Sequence, residues 1–338
     1  MRLMRGAMGV FAFLVAVTAL GAEPASYRSG AKQFASEMAR KHGVDPGEVS
    51  ALMDQARFRQ EIIDKIRRPY ESKPWYKYRK IFLTAKRIAG GVEFWRNNEV
   101  ILDRAREEYG VPPEIIVAII GVETNYGGNL GKDRVIDALS TLGFAYPPRA
   151  DFFRKELEQF LLLAQEESVD AIHVQGSYAG AVGMPQFIPS SYRAYAVDFD
   201  GDGRRNLWES NADVIGSVAN YFKRNGWRTG EPVAFKAEVT GRVPAGLPVA
   251  EKKPKKPGIG IEKLKAAGVI SSEPLSPSTR VTLIRLESPE DEYWLGLGNF
   301  YAITRYNHSN LYAMAVYQLS REIKETYETR GRETAARD

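Results

Sequence analysis

The chain has 338 residues, of which 44% are hydrophobic and 26% are charged. This composition is that of a globular protein and excludes collagen-like, coiled-coil and disordered classes. The chain holds three His and no Cys, which excludes a Cys/His zinc site, a thiol nucleophile and disulfide bonds. The net charge of +5 favours polyanionic surroundings without indicating nucleic acid, and we expect no nucleic-acid partner.

The N-terminal segment has the pattern of a secretory signal peptide. Arg2 and Arg5 precede an apolar run from Ala7 to Leu20, and small residues follow it. The run is shorter than the roughly 20 residues that span a bilayer, so cleavage near Ala22 is favoured over an uncleaved anchor. Without Cys there is also no attachment point for a bacterial lipid anchor. We therefore predict a signal peptide over residues 1–22 and a soluble exported protein with no transmembrane segment after its removal.

Helical periodicity dominates the next part of the chain. Hydrophobic residues recur at helical spacing over residues 31–42, and Gly43 follows as a stop signal. Asp45 then has the position of a cap for a second helix, which has Pro in its first turn. These patterns predict an N-terminal helical domain over 27–104.

The periodicity changes later in the chain and then returns. Residues 149–167 have the amphipathic spacing of a helix. Between residues 227 and 298, hydrophobic residues alternate with polar ones and Gly and Pro are frequent, which predicts a small β domain. Helical spacing resumes at Ser309. The sequence thus predicts an α+β protein, mainly α, whose β domain is inserted between a helical core at 105–226 and the last core helices at 299–330.

A charged, proline-rich segment, Glu251 to Pro257 (EKKPKKP), lies inside the predicted β domain. Such a composition is typical of an exposed loop. Two interpretations apply to it. A solvated linker is the favoured one, and contact with a polyanion is the alternative.

Glu123 is the first candidate for chemistry. It ends an apolar stretch, Ile115 to Val122, that is hydrophobic on every side, as in a fully buried helix. A carboxyl group at the edge of such a helix, followed by turn residues, would lie at the floor of a cleft. Burial raises the pKa of a carboxyl group and keeps it protonated near neutral pH, as a general acid requires. The alternative is a carboxylate that only hydrogen-bonds a loop, and the spacing does not decide between the two.

A second candidate is the segment DFDGDGRRNLWE at residues 198–209, which fits the calcium-loop template D-x-D-x-D-G-x5-E at every specified position. The template assigns the metal ligands to Asp198, Asp200, Asp202, the carbonyl of Arg204, and Glu209. Asp213 can cap the following helix or close the loop in place of Glu209, so two positions compete for one role. The alternative is an acidic surface turn. We predict a structural calcium ion and no organic cofactor.

Together with two further segments, these stretches resemble the lytic murein transglycosylases of the membrane-bound B type. The resemblance covers about Phe34 to Leu319 and rests on several motifs: FW at 94 and 95, YGVPPEIIVAIIGVETNYG, GSYAGAVGMPQFIPSSY, DFDGDG with NLW, GSVANYF and ITRYNHSNLYAMAVYQL. It implies a lysozyme-like helical core with a helical domain and a small β domain, in an exported enzyme that acts on the glycan strands of peptidoglycan. It further implies that Glu123 is the catalytic acid and that the residues lining the sugar-binding groove are Ser177, Gln186, Tyr221, Tyr306, Asn307 and Tyr312.

The resemblance also implies a reaction. The β-1,4 bond between N-acetylmuramic acid and N-acetylglucosamine is cleaved, Glu123 serves as the single acid and base, and the C6 hydroxyl closes a 1,6-anhydro ring without water. A hydrolytic muramidase would need a second carboxylate, and Asp133 and Asp137 are the nearest by sequence. A calcium-dependent peptidoglycan-binding protein without activity is the third alternative.

Two features depart from the family pattern. Typical members carry a lipidated Cys, which is absent here, so we predict a soluble periplasmic form. The metal loop of the family closes on a later Asp, which favours Asp213 slightly over Glu209 without deciding the choice. Other cell-wall enzymes are further candidate partners.

Overall fold

The computed structural model describes residues 23–68 and 72–335. The predicted signal peptide, residues 1–22, lies outside the described residues. The helices in the described part of the chain are α1 (Ala25–His42), α2 (Pro46–Gln55), α3 (Gln60–Ile66), α4 (Trp75–Phe82), α5 (Ala85–Asn97), α6 (Glu99–Tyr109), α7 (Pro113–Thr124), α8 (Val135–Ala145), α9 (Ala150–Glu166), α10 (Pro189–Tyr195), α11 (Asn211–Arg224), α12 (Ile261–Ala266), α13 (Gly298–Tyr306) and α14 (Asn310–Ala335). The strands are β1 (Asp133–Arg134), β2 (Gln175–Gly176), β3 (Ala234–Val239), β4 (Val249–Ala250), β5 (Ile259–Gly260), β6 (Val269–Ser271), β7 (Arg280–Leu286) and β8 (Glu292–Gly296). The predicted class, α+β and mainly α, is confirmed.

Local signals end and start the first two helices as predicted. Gly43 follows α1 with φ at 67°, in the left-handed region that glycine adopts without the steric cost of a Cβ. Asp45 caps α2, because its side chain accepts a hydrogen bond of 2.9 Å from a backbone N–H of the first turn. The first helix begins at Ala25, earlier than its periodicity predicts, and its first turn is held by Tyr27, which is buried in the core.

The main sheet has the strand order β4-β7-β8-β3-β6, and β5 pairs with β7 outside this path. The β4–β7 pair is parallel, whereas the other pairs of this sheet are antiparallel. All of these strands lie between α11 and α13 in the chain. The sheet is therefore inserted between helices that both belong to the helical part of the molecule.

Strand β7 is buried on both faces, whereas the alternation in its sequence predicts one buried face. Val281 and Leu283 pack in a small cluster of the β region itself. Ile284 and Leu286 point the other way and pack in the main hydrophobic cluster with the helices. The second face of β7 is apolar because it packs against the helical core.

The main hydrophobic cluster extends from Tyr27 in α1 to Ile323 in α14. Helix α7 lies deep within it, since Ile116 and Ile120 are fully inaccessible. The cluster covers both the predicted N-terminal domain at 27–104 and the predicted core at 105–226. The division between these two domains therefore stays a prediction.

Candidate active site

Glu123 lies at the carboxyl-terminal end of α7, where the buried helix reaches the surface, and its side chain is half-buried. The chain turns sharply after it, because Asn125, Tyr126 and Gly127 all have positive φ values of 52°, 61° and 84°. Thr124, which lies between Glu123 and this turn, donates a hydrogen bond of 2.9 Å to the carbonyl of Met184. The end of α7 is thus held to the motif GSYAGAVGMPQFIPSSY, to which Met184 belongs.

Tyr312 donates a hydrogen bond to Glu123. Its Oη donates to Oε1 of Glu123 at 2.5 Å, although the two residues are 189 positions apart in the chain. Tyr312 is 3% exposed, and burial first, followed by the nearby charge of Glu123, raises the pKa of Tyr312 well above its ordinary value. The phenol therefore stays protonated and remains a donor to the carboxylate.

Tyr306 and Tyr221 build an aromatic cluster beside this pair. The Tyr306 ring is parallel to that of Tyr312, with centroids 6.4 Å apart, and lies 4.8 Å from the ring of Tyr221. The Oη of Tyr306 donates to the carbonyl of Pro185 at 2.6 Å, and the Oη of Tyr221 donates to the carbonyl of Arg305 at 2.5 Å. Both hydroxyls thus fasten backbone segments around Glu123.

Two of the other predicted groove residues, Ser177 and Gln186, make hydrogen bonds with backbone groups. Ser177 Oγ accepts from the backbone N–H groups of Ala179 and Ala181, at 3.3 and 3.0 Å, and shapes a tight turn. Gln186 has φ at 50°, and its Nε2 donates to the carbonyls of Leu130 and Gly183. Both side chains are half-buried. Asn307, also half-buried, follows Tyr306 at the end of α13.

Asp133 and Asp137, the nearest other carboxylates by sequence, are both engaged with cations. Asp133 pairs with Lys65 at 2.9 Å. Asp137 is 1% exposed, binds the guanidinium of Arg134 at 2.7 Å and accepts from the backbone N–H of Arg57 at 2.8 Å. These contacts tie α8 to the preceding strand and to the loop after α2, so the two carboxylates have structural partners.

Asp198, Asp200 and Asp202 converge as the calcium-loop template predicts. Each offers one carboxylate oxygen, and the three oxygens lie within 4.8 Å of one another. Hard oxygen donors at this spacing suit Ca²⁺. Asp198 also accepts from three backbone N–H groups of the turn, including that of Gly203 at 2.8 Å. Arg204 follows Gly203, and its backbone N–H donates to Asp202 at 2.8 Å.

Neither of the two candidates for closing the loop belongs to this cluster among the described residues. Glu209 is exposed. Asp213 is fully buried, and its two oxygens accept from the backbone N–H groups of Phe199 and Asn206 at 2.6 and 2.7 Å. Burial raises the pKa of Asp213, and these two bonds oppose the rise. In this arrangement the carboxylate of Asp213 joins the two sides of the loop by accepting from their backbone N–H groups.

Ser210 directly follows the twelve residues of the calcium-loop template. It caps α11, because its Oγ accepts from the backbone N–H of Asp213 at 3.2 Å. The same hydroxyl donates to Asp200 at 2.6 Å, and this bond lowers the pKa of Asp200. Its place directly after the last position of the template is the only signal for this second contact.

Comparison with known proteins identifies the family of this chain. Residues 26–321 match the family described as the Transglycosylase SLT domain. The chain belongs to this family. It is 47% identical over 304 residues to membrane-bound lytic murein transglycosylase B of Escherichia coli K12, a match that covers 87% of this chain and 82% of that protein.

Solved transglycosylase structures have the same fold. Lytic transglycosylase SltB1 of Pseudomonas aeruginosa superposes with a TM-score of 0.83 at 51% identity, covering 88% of this chain and 98% of that one. Slt35 of E. coli, solved in complex with calcium, gives 0.80 at 47% identity, covering 88% and 93%. A more distant transglycosylase, SltB3 of P. aeruginosa in complex with NAG-anhNAM-pentapeptide, gives 0.76 at 31% identity, covering 89% and 80%.

These similarities confirm the resemblance drawn from the motifs and the lysozyme-like transglycosylase fold. The chain is an enzyme, a lytic transglycosylase that acts on peptidoglycan.

Proposed function

We propose that Glu123 is the single acid and base of this transglycosylase and that the enzyme releases 1,6-anhydro-N-acetylmuramic acid ends. The observation that carries the proposal is the hydrogen bond from Tyr312 to Glu123 at 2.5 Å, at the mouth of a buried helix. The bond fixes the carboxyl group in one orientation. A relative crystallised with NAG-anhNAM-pentapeptide supports the anhydro product.

The partners of Asp133 and Asp137 support a reaction in which neither of these two carboxylates takes part. A hydrolase of the ordinary kind uses two carboxylates across the scissile bond. Asp133 and Asp137 are bound to Lys65 and Arg134 and serve the packing of α8. The groove residues Ser177, Gln186, Tyr221, Tyr306, Asn307 and Tyr312 would then position the sugar.

The proposed reaction has two proton transfers through the same carboxyl group. Glu123 protonates the leaving glycosidic oxygen while the bond to C1 breaks, and the N-acetyl group of the substrate supports the developing positive charge. The carboxylate then accepts the proton of the C6 hydroxyl as that oxygen bonds to C1. An internal nucleophile held near C1 has a large effective concentration relative to water, so ring closure outcompetes hydrolysis.

Mass spectrometry of the products tests this proposal. The enzyme should convert purified sacculi into muropeptides that are lighter by one water than those produced by a lysozyme from the same preparation. A hydrolytic muramidase would leave reducing ends, and a non-catalytic binding protein would release nothing. Predominantly reducing ends would mean that water attacks C1 and that another carboxylate assists.

Replacing Tyr312 with Phe tests the orientation of Glu123. The change removes one hydrogen bond to a charged group, which corresponds to about 1.5 kcal/mol, or about tenfold in kcat. Tyr317→Phe on the same helix removes a buried bond to the carbonyl of Ala234 and should leave kcat unchanged. A kcat of Tyr312→Phe equal to that of the wild type contradicts the assignment.

We further propose that calcium binds this enzyme through the cluster formed by Asp198, Asp200 and Asp202, with the Arg204 carbonyl and either Glu209 or Asp213 as further ligands. The converging oxygens of the three aspartates and the calcium complex of Slt35 support it. When bound, the ion would neutralise the repulsion between the carboxylates and hold the turn that leads into α11. Its role is structural.

The periplasm is the proposed location, and it rests on the signal-peptide pattern of residues 1–22. Within residues 23–68 and 72–335, no helix combines the length and the hydrophobicity that a membrane crossing needs. Fractionation of cells that express the full chain, with detection of the mature protein, tests the location. Other cell-wall enzymes stay predicted partners.

A further inference from the structure

The basic segment Glu251 to Pro257, hereafter the lysine loop, is an exposed loop whose backbone is fixed to the active-site helix. Asn310 is 1% exposed, and its side chain donates to the carbonyls of Glu251 and Lys253 at 2.7 and 3.2 Å. Its own backbone N–H donates to the carbonyl of Lys252 at 2.9 Å. Asn310 begins α14, two residues before Tyr312. The four lysines of the loop are exposed, as the linker interpretation predicts, and its backbone is anchored at the start of the helix that carries Tyr312.

The lysine loop carries a concentrated positive charge. Its single acidic residue, Glu251, pairs with Arg285 at 2.5 Å. Lys252 and Lys255 donate to the backbone carbonyls of Ser72 and Val249, which leaves their charges uncompensated. Within the described ranges, no carboxylate pairs with any of the four lysines of the loop, the other two being Lys253 and Lys256.

The far end of the lysine loop lines a cleft of about 800 Å³. The cleft lies between the end of α11, the start of β7 and the start of α13, and its charged lining residues are Arg228, Glu231, Lys256 and Arg280. Arg228 pairs with Glu231 at 3.3 Å. Lys256 and Arg280 are exposed and have no ion pair among the described residues, so the cleft has an excess of two positive charges.

Two helices connect this cleft with the aromatic cluster beside Glu123. Helix α13 carries Tyr306 in the cluster and Tyr301 in the cleft, which are about 8 Å apart along a helix. Helix α11 carries Tyr221 in the cluster, and Asn225 in the cleft directly follows its last residue, about 6 Å further along the helix axis. An extended peptide of five residues spans up to about 17 Å. A peptide attached to a sugar in the groove is therefore long enough to reach the cleft.

We infer that the cleft and the lysine loop bind the acidic stem peptide of the peptidoglycan strand that is being cleaved. The inference rests on the proposed function, since it places the N-acetylmuramic acid that carries the peptide next to Glu123. The peptide ends in a carboxylate, and Lys256 and Arg280 are the unpaired cations within its reach. The lysine loop would supply further positive charge along the path from the groove.

The test compares soluble glycan strands that carry their peptides with the same strands after an amidase has removed the peptides. The variant is the triple substitution Lys253→Gln, Lys256→Gln and Arg280→Gln. Exposed ion pairs are individually weak, so we expect KM for the peptide-bearing strands to rise about fivefold to tenfold at low salt, with kcat unchanged. The effect should shrink as salt screens the charges. KM for the peptide-free strands should not change.

A matched control removes the same charge elsewhere in the β region through Arg242→Gln, Lys263→Gln and Lys265→Gln, which are exposed and do not line the cleft. It should behave as the wild type on both substrates. An equal rise of KM on peptide-free strands would overturn the inference, because it would indicate contact with the glycan. An equal rise of KM in the control variant would also overturn it, because it would indicate a general attraction of polyanions. An unchanged KM in the test variant would also overturn it. Failure of the proposed function is separate, because it would appear as reducing ends from the wild type.

Discussion

Glu123→Gln is expected to lower the rate of glycan cleavage by about a hundredfold or more while the fold is retained. The amide has the shape of the carboxyl group, and its oxygen can still accept the hydrogen bond from Tyr312. What the variant lacks is the proton that the leaving oxygen must receive. Loss of a general acid and base costs about 10² to 10⁴ in rate, and here one group performs both transfers.

The measurement is the release of soluble muropeptides from purified sacculi, together with the melting temperature and the binding of glycan strands. Glu114→Gln is the matched control, since Glu114 is on the same helix and pairs with Lys324 at 3.1 Å away from Tyr312. The control should keep nearly wild-type turnover, and Glu123→Gln should still bind strands. Turnover of Glu123→Gln close to that of the wild type would refute the assignment of the catalytic acid.

Features that depend on a few neighbouring residues could be predicted from the sequence. The cap at Asp45 and the stop at Gly43 each act through contacts within one turn. The three aspartates converge because their spacing and the glycines of the turn bring them together. The apolar stretch before Glu123 indicates a buried helix, and a residue that ends such a helix lies at its exposed end.

Features that depend on distant partners could not be predicted. The bond between Tyr312 and Glu123 joins positions 189 residues apart, and nothing near either residue signals it. The lysine loop has the composition of a linker and is fixed by Asn310, which lies 57 or more residues further along the chain. The second buried face of β7 arises from packing on helices whose position the strand does not encode. Such contacts are set by the tertiary fold.

The residue that closes the metal loop could be predicted only in part from the sequence. The template offers Glu209 and the family pattern favours Asp213, and both choices assume that the residue is a ligand. In the structure, Asp213 binds two backbone N–H groups from opposite sides of the loop. An Asp213→Asn variant should therefore lose stability even without metal, whereas Glu209→Gln should change only the response to calcium. Melting temperatures of the two variants with and without calcium therefore distinguish a residue that stabilises the loop from one that binds the metal.

Calcium is expected to raise the free energy of unfolding by about 2.7 kcal/mol when free metal is a hundred times its dissociation constant. The physical reason is that the carboxylates of Asp198, Asp200 and Asp202 repel one another at their mutual distances of 4.8 Å or less until a cation neutralises them. Thermal melts with calcium and with a chelator measure the effect. Asp200→Ala should abolish the difference between the two melts, and Asp103→Ala on α6, which removes a carboxylate outside the cluster, should preserve it. If the wild-type melting temperature is the same in both conditions, the cluster is an acidic turn and the calcium proposal fails.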